Sequence, residues 1–477
     1  MKHGELSWVQ RWHCLSMAAL AALLCLGLAS CAAKEAYRHD TAQLCDETQN
    51  KCDTSALVKT KEGFILGFVE IDDQGIFFDN RMDKSQQRSI LNYLEKKENL
   101  YVVVFIHGWH HSAAPEDGSI DSFRRRLGDA KRRLPGKEVV GIYIGWRGDS
   151  IDVPYLNTAT FWDRKNTSEE VGRNALVGFL LELELIKANK EHKNALVLTG
   201  HSFGASALYN AVHQTLLQRL IQAETEPGVD AVRGFGDLVV LINPAIEAMR
   251  FSPLYDASQA HARRRGFEPM QPVRLIVAAT PGDWAATTLF PIGRWLSTSL
   301  EFHRVYLPPQ HRRRTDELEV DQAEMDRTTM GQFKPYQTHK LGMSHRRDGN
   351  ECQVKEGWLR ESVQRKIARS IQDRTSPVNG EGWISKGEGW NSLGQTGIPK
   401  QMQIEHLVGQ SHPYSPYWVV KLDETTIMRD HNNISGLNFW CFIDLVLLKE
   451  SSARSDSAPA LPAPTGAPLS EPVTSDQ

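Results

Sequence analysis

The chain has 477 residues, of which 41% are hydrophobic and 24% are charged. This composition is typical of a globular protein with a sizeable core, and it excludes a disordered or fibrous chain. The formal net charge of -3 favours no polyanionic partner, so we expect no binding to nucleic acid.

Residues 1–30 have the layout of a secretory signal peptide. Lys2 and Arg11 precede an apolar run over 16–28, which is short for a membrane-spanning helix. The run ends in LASC, which resembles the lipobox of bacterial lipoproteins. This resemblance implies that Cys31 is acylated and anchors the chain to a membrane, in the outer membrane facing the periplasm. An ordinary cleaved signal peptide is the alternative.

Polar segments flank the predicted domain, which we expect to span 58–450. Residues 31–57 show little periodicity and are predicted to be a membrane tether, whereas 451–477 are rich in Pro, Ser and Ala and are predicted to be disordered. In an oxidising compartment Cys45 and Cys52 could close a small loop. Four cysteines follow Cys31 and allow three pairings, among which the sequence does not choose.

Predicted strands and helices alternate through the domain. The apolar runs predict strands at 63–72, 75–78, 101–108, 138–146, 195–200, 236–245, 273–283 and 417–423. Amphipathic stretches predict helices at 84–99, 120–134, 175–191, directly after Ser202, and at 436–450. Continuous Val, Ile and Leu runs interleaved with helices indicate an α/β fold with a mostly parallel central sheet, covered by helices on both faces.

Two segments interrupt this alternation. Residues 147–172 are predicted to be a shorter loop insertion. Residues 301–412 are charged and punctuated by Gly and Trp, without a long apolar strand. We expect them to form a long insertion before the last strand, either a lid at the carboxyl edge of the sheet or a partly disordered excursion.

Ser202 lies between a predicted buried strand and a predicted helix, in the sequence GHSFG. Gly200 and Gly204 flank it at the spacing that a sharp strand-to-helix turn requires, because side chains at those positions would collide as strand and helix close together. The five-residue pattern is common by chance, and its strand-turn-helix context is what favours a nucleophile over a serine in a tight connection.

With this turn, the chain resembles the α/β-hydrolase family, and GHSFG resembles its nucleophile elbow. The resemblance implies an oxyanion hole made of two backbone N–H groups. The residue after the nucleophile is Phe203, and the loop after an earlier strand, in HGW at 107–109, supplies Trp109.

The resemblance also implies an acid after a later strand and a histidine near the C-terminus, in the chain order Ser, Asp, His. Asp283 follows an apolar run and is the preferred acid, with Glu247 as the alternative one strand earlier. His431 lies in a loop before the last predicted helix and is the preferred base. His339 is the rival base, and His412 is a third candidate.

The implied activity is that of a serine hydrolase, a carboxylesterase or lipase-like enzyme that needs no cofactor and no metal. The cluster of His107, His110 and His111 could be read as a metal site, but no carboxylate or cysteine partner stands at a recognisable spacing. The expected partner is a small ester or a lipid substrate. An acyltransferase or peptidase with the same residues is an alternative, as is a non-catalytic binding lipoprotein.

Overall fold

A computed structural model describes residues 17, 35–78, 85–148, 161–189, 193–226, 228, 231–268, 271–306, 320–343, 402–407 and 411–453. The predicted signal peptide apart from residue 17, the acylation of Cys31, the pairing of Cys352, most of the 301–412 insertion and the tail after residue 453 lie outside these residues. Within the described part of the chain, no helix has the length and apolar character needed to cross a membrane.

An eleven-stranded sheet forms the centre of the molecule. The described residues form thirteen strands, eleven of them in this sheet. In chain order they are β1 (Cys45–Asp46), β2 (Leu57–Lys59), β3 (Ile65–Ile71), β4 (Leu100–Ile106), β5 (Glu138–Trp146), β6 (Ala195–His201), β7 (Leu238–Ile242), β8 (Leu275–Ala279), β9 (Val305–Tyr306), β10 (Val320–Asp321), β11 (His339–Met343), β12 (Met402–His406) and β13 (Tyr417–Leu422). Strands β9 and β10 form a separate antiparallel pair.

The order across the large sheet is β1-β2-β3-β5-β4-β6-β7-β8-β13-β11-β12. Only the β2–β3 and β11–β12 pairs in it are antiparallel, so the sheet is mostly parallel, as predicted. Strand β4 has β5 on one side and β6 on the other, and the chain visits β5 first. Open α/β sheets generally bind their ligands at such a reversal, outside the carboxyl ends of the strands, which here are those of β4 and its neighbours.

Helices cover both faces of the sheet. They are α1 (Gln86–Leu94), α2 (Gly118–Arg133), α3 (Phe161–Arg173), α4 (Ala175–Ala188), α5 (Phe203–Thr225), α6 (Ala248–Arg264), α7 (Phe290–Ser297), α8 (Gln322–Arg327) and α9 (Leu437–Ala453). Side chains of α2 and α9 share one apolar cluster with Tyr101, Val103 and Phe105 of β4. Side chains of α1 and α3 to α8 share the other cluster with Val102, Val104 and Ile106. Both faces of β4 are therefore buried, which explains its continuous apolar sequence.

The segment 147–172, predicted to be a loop, instead contains most of helix α3. The helix buries Arg164, Lys165 and Glu169, and the Nζ atom of Lys165 lies 2.6 Å from the Glu169 carboxylate four residues later. Because buried ion pairs replace apolar residues on this face, the segment lacks the apolar periodicity by which a helix is recognised.

The predicted tether differs from the structure from residue 35 onward. The backbone N–H groups of Tyr37 and Arg38 donate hydrogen bonds to the carboxylate of Glu70 on β3. Strands β1 and β2 extend the sheet, and a disulfide joins Cys45 to Cys52 with a Cα–Cα distance of 5.9 Å. Hydrogen bonds and a disulfide hold this segment in place. Such contacts leave no apolar periodicity in the sequence, so the sequence did not indicate that the segment is ordered.

Part of the predicted insertion belongs to the sheet. Strand β11 lies beside β13 in parallel register, and β12 closes the edge. Both strands have five residues and lie at the end of the sheet, with β12 as its last strand, so neither shows a long apolar run. The predicted strand at 75–78 is reduced to one bridge between Ile71 and Phe77.

Candidate active site

Ser202 stands alone in the turn between β6 and α5, with φ 55° and ψ -118°. Positive φ is uncommon for a residue other than glycine and is a source of strain that clusters at functional sites. The turn is held by the Ser202 N–H, which donates to the carbonyl of Ile242 at 3.0 Å, and by the Ala205 N–H, which donates to the Ser202 carbonyl at 3.1 Å. The surrounding backbone therefore fixes the conformation of the serine.

The two flanking glycines allow the turn to pack. A Cβ atom on Gly204 would lie 2.1 Å from the carbonyl oxygen of Ile106, and one on Gly200 would lie 2.6 Å from the carbonyl oxygen of Gly204. Neither position has room for a side chain. The strand and helix on either side of Ser202 thus close together as the pattern predicted, and the start of α5 also packs directly against the end of β4.

The loop after β4 lies against the serine. A Cβ atom on Gly108 would lie 3.0 Å from Cβ of Ser202. Trp109 follows in this loop, and its ring centroid lies 6.3 Å from that of Phe203, the first residue of α5. Backbone N–H groups at a helix start have no partner inside the helix, so the Phe203 amide suits an oxyanion donor.

His107 orients the peptide that carries the Trp109 N–H. Its Nε2 accepts a hydrogen bond from the Trp146 N–H at 3.0 Å, so the proton is on Nδ1, which lies 2.8 Å from the Gly108 carbonyl oxygen. Burial lowers the pKa of His107 to about 4, which keeps the ring neutral at pH 7. The Gly108 carbonyl and the Trp109 N–H belong to one planar peptide, so fixing the first fixes the direction of the second.

Asp283 and His431 meet at the same edge of the sheet. Nδ1 of His431 lies 2.8 Å from Oδ1 of Asp283, and the Ala286 N–H donates a hydrogen bond to that oxygen at 2.8 Å. Asp283 is fully buried, whereas the His431 side chain is 18% exposed. The His431 N–H is not aligned as a hydrogen bond, and Oδ2 of Asp283 has no hydrogen-bond partner among the described residues. In structures without substrate, hydrogen bonds between catalytic groups are often poorly aligned, so this geometry is compatible with a catalytic pair.

His201, the residue before Ser202, connects the serine turn to the loop that carries His431. Nε2 of His201 lies 2.8 Å from the backbone carbonyl oxygen of His431, and the two imidazole rings are 4.8 Å apart between centroids. The Asn243 side-chain amide donates to the same carbonyl oxygen at 3.1 Å. Sequence patterns single out neither His201 nor Asn243, although Asn243 directly follows a buried strand and thus stands where site residues are found.

Glu247, the alternative acid, belongs to a buried ion network instead. Its carboxylate lies 2.9 Å from Nζ of Lys165, 3.1 Å from Nε of Arg250 and 3.2 Å from Nη1 of Arg294. Burial raises its pKa, but the three cations lower it by more, so the net pKa lies below the ordinary value. Glu247 therefore balances positive charge, while Asp283 is the carboxylate that reaches His431.

The alternative bases lie elsewhere. His339 is on β11, which β13 separates from β8, and its ring packs 4.2 Å from that of Trp418. Burial lowers its pKa well below the ordinary value. His412 precedes β13, so it lies toward the amino ends of the strands. There its ring packs against Phe267, with the ring centroids 5.5 Å apart. Asp283 follows a strand and stands at the opposite edge.

The histidines after β4 have partners other than a metal. Both ring nitrogens of His107 are engaged, as described above. Nδ1 of His111 lies 2.9 Å from Oδ1 of Asp117, and the His110 ring stacks on Trp109 at 3.9 Å. These contacts shape the loop beside Ser202.

The described part of the chain contains one cluster with the side chains of a possible metal site. It consists of Glu301, His303 and Asp326, whose ligand atoms lie within 4.8 Å of one another. Arg294 forms an ion pair with the Asp326 carboxylate, so a guanidinium already supplies positive charge at this point.

No protein-family model matches the chain, and no curated protein sequence matches it. The functional assignment therefore depends on the geometry of the site.

Proposed function

We propose that this protein is a serine hydrolase of the α/β-hydrolase fold that cleaves carboxylic esters. The observation that carries the proposal is the convergence, at one edge of the sheet, of a serine at positive φ and an Asp283–His431 pair. Strand reversal at β4, the two glycines without room for side chains and the chain order Ser, Asp, His support the same assignment.

In the proposed reaction His431 acts as the general base. It removes the proton from Oγ of Ser202 as that oxygen attacks the ester carbonyl carbon. The backbone N–H groups of Trp109 and Phe203 stabilise the oxyanion that forms, an interaction in which one donor contributes about 2.7–4 kcal/mol. The protonated ring then gives its proton to the leaving alcohol, which leaves an acyl group on the serine.

The second half of the reaction repeats these roles. His431 removes a proton from water, the hydroxide attacks the acyl carbon, and the carboxylic acid departs as Ser202 regains its proton. Asp283 holds the imidazole with its proton on Nδ1 and stabilises the imidazolium that forms twice in each cycle. Its complete burial strengthens that charge interaction.

We also propose that Cys31 is acylated and that the enzyme works at the periplasmic face of a bacterial outer membrane on small esters or lipids. The layout of residues 1–31 supports this proposal. Growth of expressing cells on an alkyne-tagged palmitate, followed by click labelling, tests it. Label should appear in the wild type and be lost in Cys31→Ser.

Hydrolysis of p-nitrophenyl butyrate tests the proposed activity. We expect turnover by the wild type and a fall in kcat of roughly 10⁵–10⁶-fold for Ser202→Ala, because the nucleophile acts as a unit with its base. Ser206→Ala is the matched control, since Ser206 is buried one turn later on α5. Wild-type turnover by Ser202→Ala, or none by the folded wild type, contradicts the proposal.

A further inference from the structure

We propose that His201, Asn243 and Thr280 position the catalytic base by holding the backbone of the loop that carries it. We call residues 428–431 the base loop. The three side chains stand at the carboxyl ends of three neighbouring strands, β6, β7 and β8. The inference rests on the proposed hydrolase function, because it assigns these residues a role in placing His431.

The contacts grip the base loop at both of its ends. At the first end, Oγ1 of Thr280 donates to the Met428 carbonyl at 2.6 Å. At the second end, the His431 carbonyl accepts from Nε2 of His201 at 2.8 Å and from Nδ2 of Asn243 at 3.1 Å. With its backbone held, the His431 ring keeps only the rotations of its own side chain. Placement of a catalytic group within about 0.5 Å requires such support.

Asn243 is itself fixed, so its contact has a defined direction. It is 1% exposed and has φ 44°. Its Oδ1 accepts from the Thr280 N–H at 3.1 Å, and its own N–H donates to the Ala278 carbonyl at 2.8 Å. Because Oδ1 is the acceptor, Nδ2 must face the His431 carbonyl as a donor. The amide thus links β7 and β8 to the base loop.

The middle of the base loop passes close to the turn after β8. A Cβ atom on Gly282 would lie 2.1 Å from the Arg429 carbonyl oxygen. Glycine at 282 therefore lets the base loop lie directly on the turn that carries Asp283. The backbone segments that carry Asp283 and His431 are therefore in direct contact.

His201 suits this role because it is neutral. A carbonyl oxygen only accepts, so Nε2 of His201 carries the proton. Burial, and next the nearby His431, lower the pKa of His201 well below the ordinary value. A neutral ring 4.8 Å away adds no positive charge next to the imidazolium that His431 becomes during the reaction. An arginine or lysine there would oppose that step.

The test compares two substitutions at 201 that differ in hydrogen-bonding ability. His201→Leu fills similar space without a donor, whereas the amide of His201→Gln can reach the same carbonyl. We expect His201→Leu to lower kcat for p-nitrophenyl butyrate about tenfold, the effect of losing one well-placed hydrogen bond, with KM unchanged. His201→Gln should recover most of kcat. His213→Gln is the control, because His213 lies on α5 and its ring contacts the carbonyl oxygens of Tyr209 and Asn210 in the same helix.

Hydrogen–deuterium exchange of the intact protein gives a second measurement that needs no activity. The amides of 428–434 should exchange faster in His201→Leu than in His213→Gln. Thr280→Val, which removes only a hydroxyl, should act in the same direction and covers the case in which His201→Leu does not fold. The proposal is overturned if exchange in this segment is unchanged in the folded variants, or if kcat falls equally in His201→Leu and His201→Gln.

These outcomes separate the two proposals. A folded wild type without ester hydrolysis overturns the proposed function and, with it, the role of the three residues in catalysis. An active wild type, with folded His201→Leu and Thr280→Val variants that are also fully active, overturns the positioning role alone.

Discussion

The carboxylate of Asp283 lies 2.8 Å from Nδ1 of His431, and the two residues reach this point from loops that follow neighbouring strands, β8 and β13. The acid is fully buried and the histidine is partly exposed. The pair therefore combines a buried carboxylate with a partly exposed imidazole, at the same edge of the sheet as Ser202.

Replacing this acid should remove most of the activity without unfolding the protein. We expect Asp283→Asn to lower kcat about 10⁴-fold, because an amide at this position favours the wrong imidazole tautomer. The Ala286 N–H can still donate to the amide oxygen, so the turn keeps its contact. Stopped-flow hydrolysis and circular dichroism measure the two effects, and an active Asp283→Asn would contradict the role of the acid.

Glu247→Gln should lower the stability of the protein and leave its kcat unchanged, the reverse of the effect expected for Asp283→Asn. Its carboxylate lies among three cations, of which Lys165 is buried. Loss of that charge should lower the free energy of unfolding by about 3 kcal/mol, since a buried cation loses a partner. The kcat of the molecules that remain folded should be unchanged. Urea unfolding at pH 7, run beside steady-state kinetics, distinguishes the two carboxylates.

Substitution of Gly204, in the turn that carries Ser202, should destabilise the protein, and a glycine elsewhere in the chain provides a control. Gly204→Ala should destabilise the protein by several kcal/mol and abolish hydrolysis, because its Cβ would lie 2.1 Å from a backbone oxygen. Gly178→Ala on α4 meets nothing within 4 Å and should stabilise by roughly 0.5–1 kcal/mol. Thermal melting of both variants checks this, and equal melting temperatures would contradict it.

Several buried histidines should make the protein less stable in mild acid. Burial lowers the pKa of His107 and of His406 to about 4, whereas unfolded histidine titrates near 6.5. Between these values the unfolded state binds more protons, so the free energy of unfolding falls as the pH drops from about 6.5 to 4.

The variant His406→Gln tests this assignment. One of the groups that favour unfolding in acid is then absent, so the decrease in the urea midpoint between pH 7 and 4.5 should be shallower. Ester hydrolysis at pH 7 should be kept, because β12 forms the far edge of the sheet. An unchanged pH dependence of the midpoint would show that His406 does not contribute.

The disulfide should contribute to stability and not to catalysis. Cys45 and Cys52 close a loop with a sequence separation of 7, for which loop-closure entropy gives about 2–3 kcal/mol. The double variant Cys45→Ser, Cys52→Ser should unfold at correspondingly lower urea, with kcat intact. A loss of kcat per folded molecule would show that the sheet edge influences the site.

The central sheet could be predicted because its signal is local. Strand β5 spans the same residues, 138–146, that the sequence indicated, since nearly every side chain in it is buried. The turn at Ser202 was equally readable, because glycine is required on both sides for steric reasons. Asp283 could be placed after a strand end and His431 in the loop before the last helix, but their contact could not be derived, since it depends on which strands become neighbours.

Other elements left no such local pattern. Helix α3 buries ion pairs in place of an apolar stripe, so its sequence has the composition of a loop. Strand β11 is short and lies near an edge, where pairing follows from the neighbours. The contacts of His201 and Asn243 with the His431 carbonyl join three distant segments, and no spacing along the chain encodes them.

Labelling with a fluorophosphonate, followed by peptide mass spectrometry, tests the central claim most directly, because the reagent reacts with a serine only where a base activates it and an oxyanion hole receives the phosphoryl oxygen. We expect one modified residue, Ser202, and loss of labelling in His431→Ala. A folded wild type without modification, or modification of Ser202 that persists in His431→Ala, would contradict it.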